Sequence, residues 1–364
     1  MLVLPAIAAS PQASPKAPAP ASFEALARQA AAARDQDRLD EAVRLYRQAL
    51  RIKPAWADGW WSLGTIWYDS DRYTDCASAF NRFVALKADA GPAHALLGLC
   101  QFGLKDYDSA LRHLFRAEEL GFLGNAQIRE VSLYHAALAL ILRQGYEKAL
   151  EQIALLLQSV PASDAIRTAA GLAALRKPLL PDQVPEKDRD LVSQVGNAVA
   201  AQLERRPEDA ARAFDAILAA YPMTPEVHYA YGALLIASDP PKGLAMLRQE
   251  LDINPAHVPA LASIALEYLK ENDAESAKPY AAKAARLAPA DFAARTANGR
   301  VLLELGQAPE AIRELEVAVR LAPDSPHARF ALATAYARAG RSAEADRERK
   351  EFARLTKLSE SGKK

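Results

Sequence analysis

Apolar side chains recur with the spacing of amphipathic helices along most of the chain, and one pattern returns several times. The segments LDEAVRLYRQALRIKP (39–54), AESAKPYAAKAARLAP (274–289) and APEAIRELEVAVRLAP (308–323) each carry an Ala, a second Ala seven residues later and a Pro five residues after that. A small residue lies twelve positions before the first of these alanines in each case. The pattern therefore predicts repeated pairs of helices.

This small residue returns along the whole chain, mostly at steps of 34 residues, with one step each of 39, 27 and 33. Small residues at a helix crossing let two backbones approach, while larger neighbours fill the space beside them. The Pro ends the second helix because it lacks an amide hydrogen. The small positions are Ala30, Gly64, Gly98, Ala137, Gly171, Ala198, Gly232, Ala265, Gly299 and Ala333.

The 34-residue period and its residue types resemble the tetratricopeptide repeat family over roughly 22–356. Trp60-x-x-Leu63-Gly64-x-x-Trp67 is similar to the family's first-helix pattern, and the alanines and terminal Pro are similar to its second. The resemblance implies an all-α, right-handed solenoid of about ten helix–turn–helix repeats. It also implies a non-catalytic scaffold that mediates protein–protein interaction.

Two segments interrupt the period. The step of 39 adds a longer turn around GFLGNAQ (121–127), and the step of 27 follows LRKPLLPDQVPEKDRD (175–190). The prolines of the second segment oppose a regular second helix in the fifth repeat. We therefore predict a loop there, with a helix restarting near Glu186 and ending at about Glu204.

The loop suggests a division of the chain. It either separates two lobes or is a local irregularity in one continuous superhelix. A highly charged end helix, about 342–357, is predicted to cap the last repeat. The predicted regions are a leader and Pro/Ala-rich linker at 1–21, an N-terminal lobe at 22–176, a Pro-rich break at 177–185, a C-terminal lobe at 186–357 and a disordered tail at 358–364.

The stretch GWWSLGTIWYDSDRY holds three of the four tryptophans. Trp60 and Trp67 lie seven residues apart at positions that the family uses for packing, so we predict that both are core residues. Trp61 and Tyr68 fall on positions that line the family's inner groove. They are predicted to bind a partner, or alternatively to brace neighbouring repeats.

We call this assignment of repeat positions the repeat frame. Applied to every repeat, the frame predicts a largely apolar concave groove with tyrosine hydroxyls, which is typical of a protein- or peptide-binding site. Arg300 is one of the few charges on it. A drift of the frame by one residue in repeats four to six would move some of these side chains into the core. The groove residues predicted beyond Trp61 and Tyr68 are Phe102, Tyr134, Leu138, Ile141, Leu172, Tyr229, Ile236, Leu266, Leu269 and Phe330.

Composition, charge and the absence of motifs argue against nucleic-acid binding, catalysis and metal binding. Lys and Arg total 45, and Asp and Glu total 45, so the chain has no net positive charge that would favour nucleic acid. No nucleophile, metal-ligand or phosphate-loop motif occurs, and the six histidines are not spaced as H-E-x-x-H. We therefore predict no enzymatic activity, no cofactor and no metal site.

The N-terminal MLVLPAIAAS is an apolar run that ends in small residues, like part of a signal peptide without its basic start. This favours a periplasmic or secreted bacterial protein; an apolar tail on a cytoplasmic protein is the alternative. No later apolar run predicts a transmembrane helix. Cys76 and Cys100 are expected as buried free thiols, and export would allow a disulfide.

The sequence leaves several partner classes open. The favoured partner is a peptide or helix of another protein. Carbohydrate binding on Trp61 and Tyr68, a regulatory accessory subunit of an envelope enzyme complex, and self-association are the alternatives.

Overall fold

The computed structural model describes residues 22–361, with side chains described as far as residue 357. The predicted leader and linker at 1–21 lie outside the described residues. Within 22–361 the chain forms α-helices and one 3₁₀ turn, Pro181–Gln183, and contains no β-strand. The helices are α1 (Phe23–Asp35), α2 (Leu39–Ile52), α3 (Ala57–Asp69), α4 (Tyr73–Leu86), α5 (Gly91–Gly103), α6 (Tyr107–Leu120), α7 (Ala126–Leu142), α8 (Tyr146–Leu157), α9 (Asp164–Ala174), α10 (Glu186–Leu203), α11 (Pro207–Ala220), α12 (Val227–Leu235), α13 (Pro240–Ile253), α14 (Val258–Lys270), α15 (Ala274–Leu287), α16 (Phe292–Glu304), α17 (Ala308–Leu321), α18 (Pro326–Arg338) and α19 (Ser342–Ser361).

The turn inside every helix pair except α12 and α13 contains a residue in the same backbone conformation. Asp37, Asp71 and Lys105 are spaced 34 residues apart and adopt φ of 56°, 56° and 61°. This left-handed conformation ends the first helix and reverses the chain for the second. The sequence period of 34 is therefore a period of backbone geometry.

The small residues lie where the sequence predicts, at buried helix crossings. All ten are buried. A methyl group on Gly64 would lie 2.6 Å from the ring of Phe80, and one on Gly171 would lie 2.1 Å from the carbonyl oxygen of Val192. These distances leave no room for a side chain, which confirms why the pattern requires small residues.

The helix that follows the proline-rich break packs in two repeats. Helix α10 begins at Glu186, as predicted, and has 18 residues. It packs against α9 and also against α11. One helix thus completes the fifth repeat and opens the sixth, which explains why the step there is 27 residues instead of 34.

The chain divides into two compact units, one that extends to Asp89 and one that begins at Ala90. Helices α1 to α4 form the first unit, and α5 to α19 form the second. Within the second unit, one core cluster extends from Leu133 to Leu235 and includes Val184 of the proline-rich break. The predicted boundary at 177–185 therefore does not coincide with the division into compact units.

The end helix also differs from its prediction, because α19 continues to Ser361. The first four residues of the predicted disordered tail, 358–361, are therefore helical. Residues 362–364 lie outside the described residues.

A hydrogen bond links successive repeats at one recurring position. Arg295 and Arg329 each donate Nε to a proline carbonyl six residues earlier, at 2.9 Å in both cases. Their Nη1 groups donate to Glu314 and Glu348, at 2.8 and 2.7 Å. Trp60 occupies the equivalent position and donates its indole N–H to the Pro54 carbonyl at 2.8 Å.

The two cysteines differ from the expectation of free thiols. Cys76 and Cys100 are fully buried, as expected, but both are disulfide-bonded. The prediction of free thiols was therefore wrong.

Candidate functional site

In the first unit, the predicted groove residues Trp61 and Tyr68 lie on α3 and pack against aromatic side chains of α4. Trp61 is half-buried, with its ring 5.6 Å from that of Phe80 and 5.4 Å from that of Phe83. Tyr68 is also half-buried, and its ring lies 6.5 Å from that of Tyr73. These contacts join α3 to α4 of the same helix pair.

The other two tryptophans of this stretch differ from each other. Trp67 is 5% exposed, which agrees with the predicted core position. Trp60 is only half-buried, because its N–H is held by the Pro54 carbonyl near the surface.

In the second unit, three predicted groove residues are core residues. Leu138 is 5% exposed, and Ile141 and Leu172 are fully buried. All three belong to the cluster that packs α7, α8, α9 and α10 together. Helix α7 has 17 residues, whereas most first helices have 13. Positions taken from the regular repeats therefore assign Leu138 and Ile141 of α7 to the groove face, although both lie on the buried face.

Four further predicted residues are half-buried and packed. Phe102 contacts the ring of His135 at 4.9 Å, and Tyr134 contacts the same ring at 5.6 Å. Ile236 packs against the core cluster that contains Leu247. Leu266 is half-buried as well.

Two more predicted residues, Leu269 and Phe330, line one cavity of about 680 Å³ in the second unit, which we call the C-terminal groove. Phe330 is 56% exposed. Its ring lies 5.4 Å from that of Phe352, which projects from α19. The remaining lining residues are Asn272, Arg300, Leu303, Glu304, Pro326, His327, Ala331, Thr334 and Thr356.

A second cavity of about 370 Å³ surrounds Tyr229, the remaining groove prediction. Arg176 lines it and is held between the Glu147 carboxylate, at 2.5 Å, and the face of Tyr146, at 4.7 Å. Burial raises the pKa of Tyr229 far above its usual range, so its hydroxyl stays protonated.

Three ligand-type side chains meet beside Tyr229. Glu226, Glu250 and His257 place one ligand atom each within 4.8 Å of the others. Glu250 is fully buried and accepts the amide hydrogens of Glu226, at 2.9 Å, and Tyr229, at 3.2 Å. Burial raises the pKa of Glu250, and these backbone hydrogen bonds oppose that rise.

The hydrogen bonds of His257 assign this cluster a structural role. Its Nδ1 accepts the amide hydrogen of Ala260 at 3.0 Å, so the ring proton is on Nε2. Nε2 then donates to the Glu226 carboxylate at 2.8 Å. A metal on Nε2 would displace that proton and leave Nδ1 protonated against the Ala260 N–H.

A family model described as tetratricopeptide repeat matches residues 27–91, 195–257, 263–326 and 296–346, which together cover more than half of the chain. The chain belongs to the tetratricopeptide repeat family. This confirms the predicted family and the all-α solenoid class. It also identifies the protein as a non-catalytic protein-interaction scaffold.

Solved structures of MamA are similar to this tetratricopeptide repeat protein. MamA from Desulfovibrio magneticus RS-1 is 22% identical, over 45% of this chain and 92% of that chain, with a TM-score of 0.39. MamA AMB-1 is 24% identical, over 44% of this chain and 95% of that chain, with a TM-score of 0.38. No curated protein sequence matches the chain.

Among the described residues of the tetratricopeptide repeat protein, no helix is both long and apolar enough to cross a membrane.

A feature that the sequence did not predict is a stacked histidine pair in the second unit. The Nδ1 atoms of His94 and His113 are 2.9 Å apart. Burial, and then the neighbouring His94, lower the pKa of His113 to about 4.

This pair predicts a loss of stability in mild acid. The unfolded His113 takes up a proton near pH 6.5, whereas the folded one stays neutral until about pH 4. Its contribution is therefore complete above pH 6.5 and is lost as the pH falls to 4, by about 1–3 kcal/mol after allowance for solvent screening. Urea unfolding across this range measures the effect.

Replacement of His113 by Gln removes the titrating ring and should flatten the fall in unfolding free energy between pH 6.5 and 4. The exposed His327 provides a control, and His327→Gln should keep the parent profile. An unchanged slope in His113→Gln would rule out this histidine as the source.

Proposed function

We propose that the C-terminal groove binds an extended or helical segment of a partner protein through an apolar anchor. The observation that carries the proposal is Phe330, which is 56% exposed and lines a cavity of about 680 Å³. An exposed aromatic side chain inside a concave, largely apolar site is typical of a binding hot spot.

The lining of the groove indicates how such a segment would be held. Phe330 and Phe352 supply two rings at 5.4 Å, and Leu269 and Leu303 extend the apolar surface. An apolar side chain of the partner would be desolvated between them. The exposed Arg300, which has no ion-pair partner among the described residues, would orient the segment through its carbonyl or carboxylate oxygens.

A capture experiment with a matched control tests the proposal. The tagged parent, Phe330→Ala/Leu269→Ala and Leu123→Ala/Met223→Ala would be used to capture partners from native cells. Leu123 and Met223 are 86% and 71% exposed and do not line the groove. We expect the groove variant to bind the captured partner at least about thirtyfold more weakly.

Circular dichroism and urea unfolding would establish that both variants are folded. Equal binding of the partner by the parent and the groove variant would refute the groove assignment. Equal loss in both variants would show a general effect of apolar surface and not a site.

The carbohydrate-binding alternative required Trp61 and Tyr68 to form an open platform. Both rings pack edge-on or tilted against other aromatic rings, so no observation favours it. An accessory subunit of an envelope enzyme complex remains one identity that the captured partner can have.

We also propose that the protein is exported, to the periplasm or out of the cell. The apolar leader supports this, and so does the disulfide-bonded state of both cysteines, because disulfides persist in oxidising compartments. We expect a maleimide, added to denatured protein purified without reductant, to label neither Cys76 nor Cys100. After reduction it should label both, as read by mass spectrometry. Labelling before reduction would contradict the export proposal.

A further inference from the structure

The first unit contains a cavity of about 530 Å³ that the groove assignment does not use, and we call it the arginine cavity. Three arginines and one carboxylate, Asp75, line it. Two neutral polar side chains, two leucines and two indole rings complete the lining, so the cavity has an excess of positive charge and of hydrogen-bond donors. The lining residues are Arg44, Arg47, Gln48, Leu50, Arg51, Trp60, Leu63, Trp67, Asp75 and Ser78.

The three arginines lie on one face of α2, at positions i, i+3 and i+7. Seven residues of α-helix span about 10 Å, so Arg44 and Arg51 mark the two ends of a linear array of cations. All three side chains are exposed. The cavity therefore presents its charge to solvent and does not bury it.

The single carboxylate is already engaged. Asp75 accepts hydrogen bonds from Arg72 at 2.5 and 3.0 Å, and it is only 3.8 Å from Arg47. In the described part of the chain neither Arg44 nor Arg51 has an ion-pair partner. Two guanidinium groups at the ends of the array are thus available to an anionic ligand.

The middle arginine is held in place. Its guanidinium lies over the ring of Trp67, 5.1 Å from the centroid, and Trp67 is 5% exposed. A planar guanidinium stacked on a buried indole loses little freedom when it binds a carboxylate. Arg47 is therefore pre-organised between the two exposed arginines at the ends of the array.

The same array does not occur in the two regular repeats at 274–289 and 308–323. The positions equivalent to Arg44, Arg47 and Arg51 are Pro279, Ala282 and Arg286 in one, and Arg313, Glu316 and Arg320 in the other. The family pattern therefore does not require three arginines here. Positive charge at this site is a property of the first repeat of this chain.

We infer that the arginine cavity binds an acidic segment of a protein, one that carries several Asp or Glu side chains along about 10 Å. A single small anion can neutralise one or two guanidinium groups, but it cannot span the array. Carboxylates spaced along a chain match arginines at successive turns, with bidentate pairing available at each. This site is separate from the C-terminal groove and does not depend on the function proposed for it.

Fluorescence anisotropy with two labelled synthetic peptides tests the inference. One peptide is composed of Glu and Ala, and the other replaces each Glu by Gln. We expect the purified full-length protein to bind the Glu peptide at least about tenfold more tightly, with an affinity that falls as salt rises. In Arg44→Gln/Arg51→Gln this preference should be lost.

The repeat itself provides the matched control. Arg313→Gln/Arg320→Gln removes the same charge from two of the equivalent positions of the second unit, and it should bind the Glu peptide as the parent does. Arg44 and Arg51 are exposed and have no ion-pair partner in the described chain, and Arg313 pairs only with the exposed Glu310 one turn away. Because exposed pairs of this kind contribute little, we expect both variants to unfold close to the parent's urea concentration.

Three outcomes would overturn the inference. The first is equal binding of the Glu and Gln peptides by the parent. The second is an equal loss of binding in the control and cavity variants, which would indicate net charge alone. The third is displacement of the Glu peptide by inorganic phosphate at an equal concentration, which would indicate a small-anion site.

Discussion

Replacement of Arg329 by Ala is expected to lower the free energy of unfolding of the second unit by about 3–5 kcal/mol, because it leaves a buried carboxylate without its partner. The Arg329 and Glu348 side chains are 15% and 10% exposed, and their ion pair is 2.7 Å long. Arg329 also donates Nε to the Pro323 carbonyl. The loss should therefore release α19 from α18, and amide hydrogen exchange along α19 should report it first.

Arg347 supplies the control for this prediction. It lies 4.0 Å from the other oxygen of Glu348 and is 68% exposed, so Arg347→Ala should change the unfolding free energy by less than about 0.5 kcal/mol. A double variant, Arg329→Met/Glu348→Leu, removes both charges and should recover most of the loss. A loss in Arg329→Ala no larger than in Arg347→Ala would contradict the account of this repeat link.

Replacement of Gly171 by Ala is the second large effect, and we expect it to cost about 3 kcal/mol through overpacking of α9 against α10. Its methyl group would lie 2.1 Å from the Val192 carbonyl oxygen and 3.1 Å from the amide nitrogen of Gly196. These are backbone atoms and cannot rotate away. The intrinsic preference of Ala for helix, about 1 kcal/mol over Gly, offsets only part of this cost.

Two other glycines make the prediction specific. Gly196→Ala should be as harmful, because its methyl would meet the Arg167 carbonyl oxygen at 2.1 Å. Gly232→Ala should cost less, because its nearest atoms lie at 3.0 Å and include the side chain of Leu247, which can shift. Urea unfolding of the three variants would give the order. Equal stability of Gly171→Ala and the parent would contradict the close packing of α9 against α10.

Most of the fold could be predicted from the repeat period of the sequence. Small residues at the crossings and terminal prolines are local requirements of a helix pair, so they recur along the sequence. The prolines of the break also predicted a helix that restarts near Glu186, where α10 begins. The period could not show that α10 serves two repeats, because that depends on contacts made by residues such as Gly171 and Gly196.

The candidate site was less predictable. Leu269 and Phe330 lie in repeats of regular length and line the C-terminal groove, whereas Leu138 and Ile141 lie on the longer helix α7 and are buried. Phe352 was missed because it belongs to a strongly charged end helix. Only the folded chain shows that this helix turns one aromatic side chain toward Phe330.

The most direct test of the scaffold account is site-specific photo-crosslinking in native cells. A photoreactive phenylalanine analogue replaces Phe330 in one strain and Leu123, which is 86% exposed outside the groove, in another. The account predicts that position 330 crosslinks to one defined segment of a partner protein and that position 123 does not. Absence of a crosslink at position 330, or the same crosslinked proteins at both positions, would contradict it.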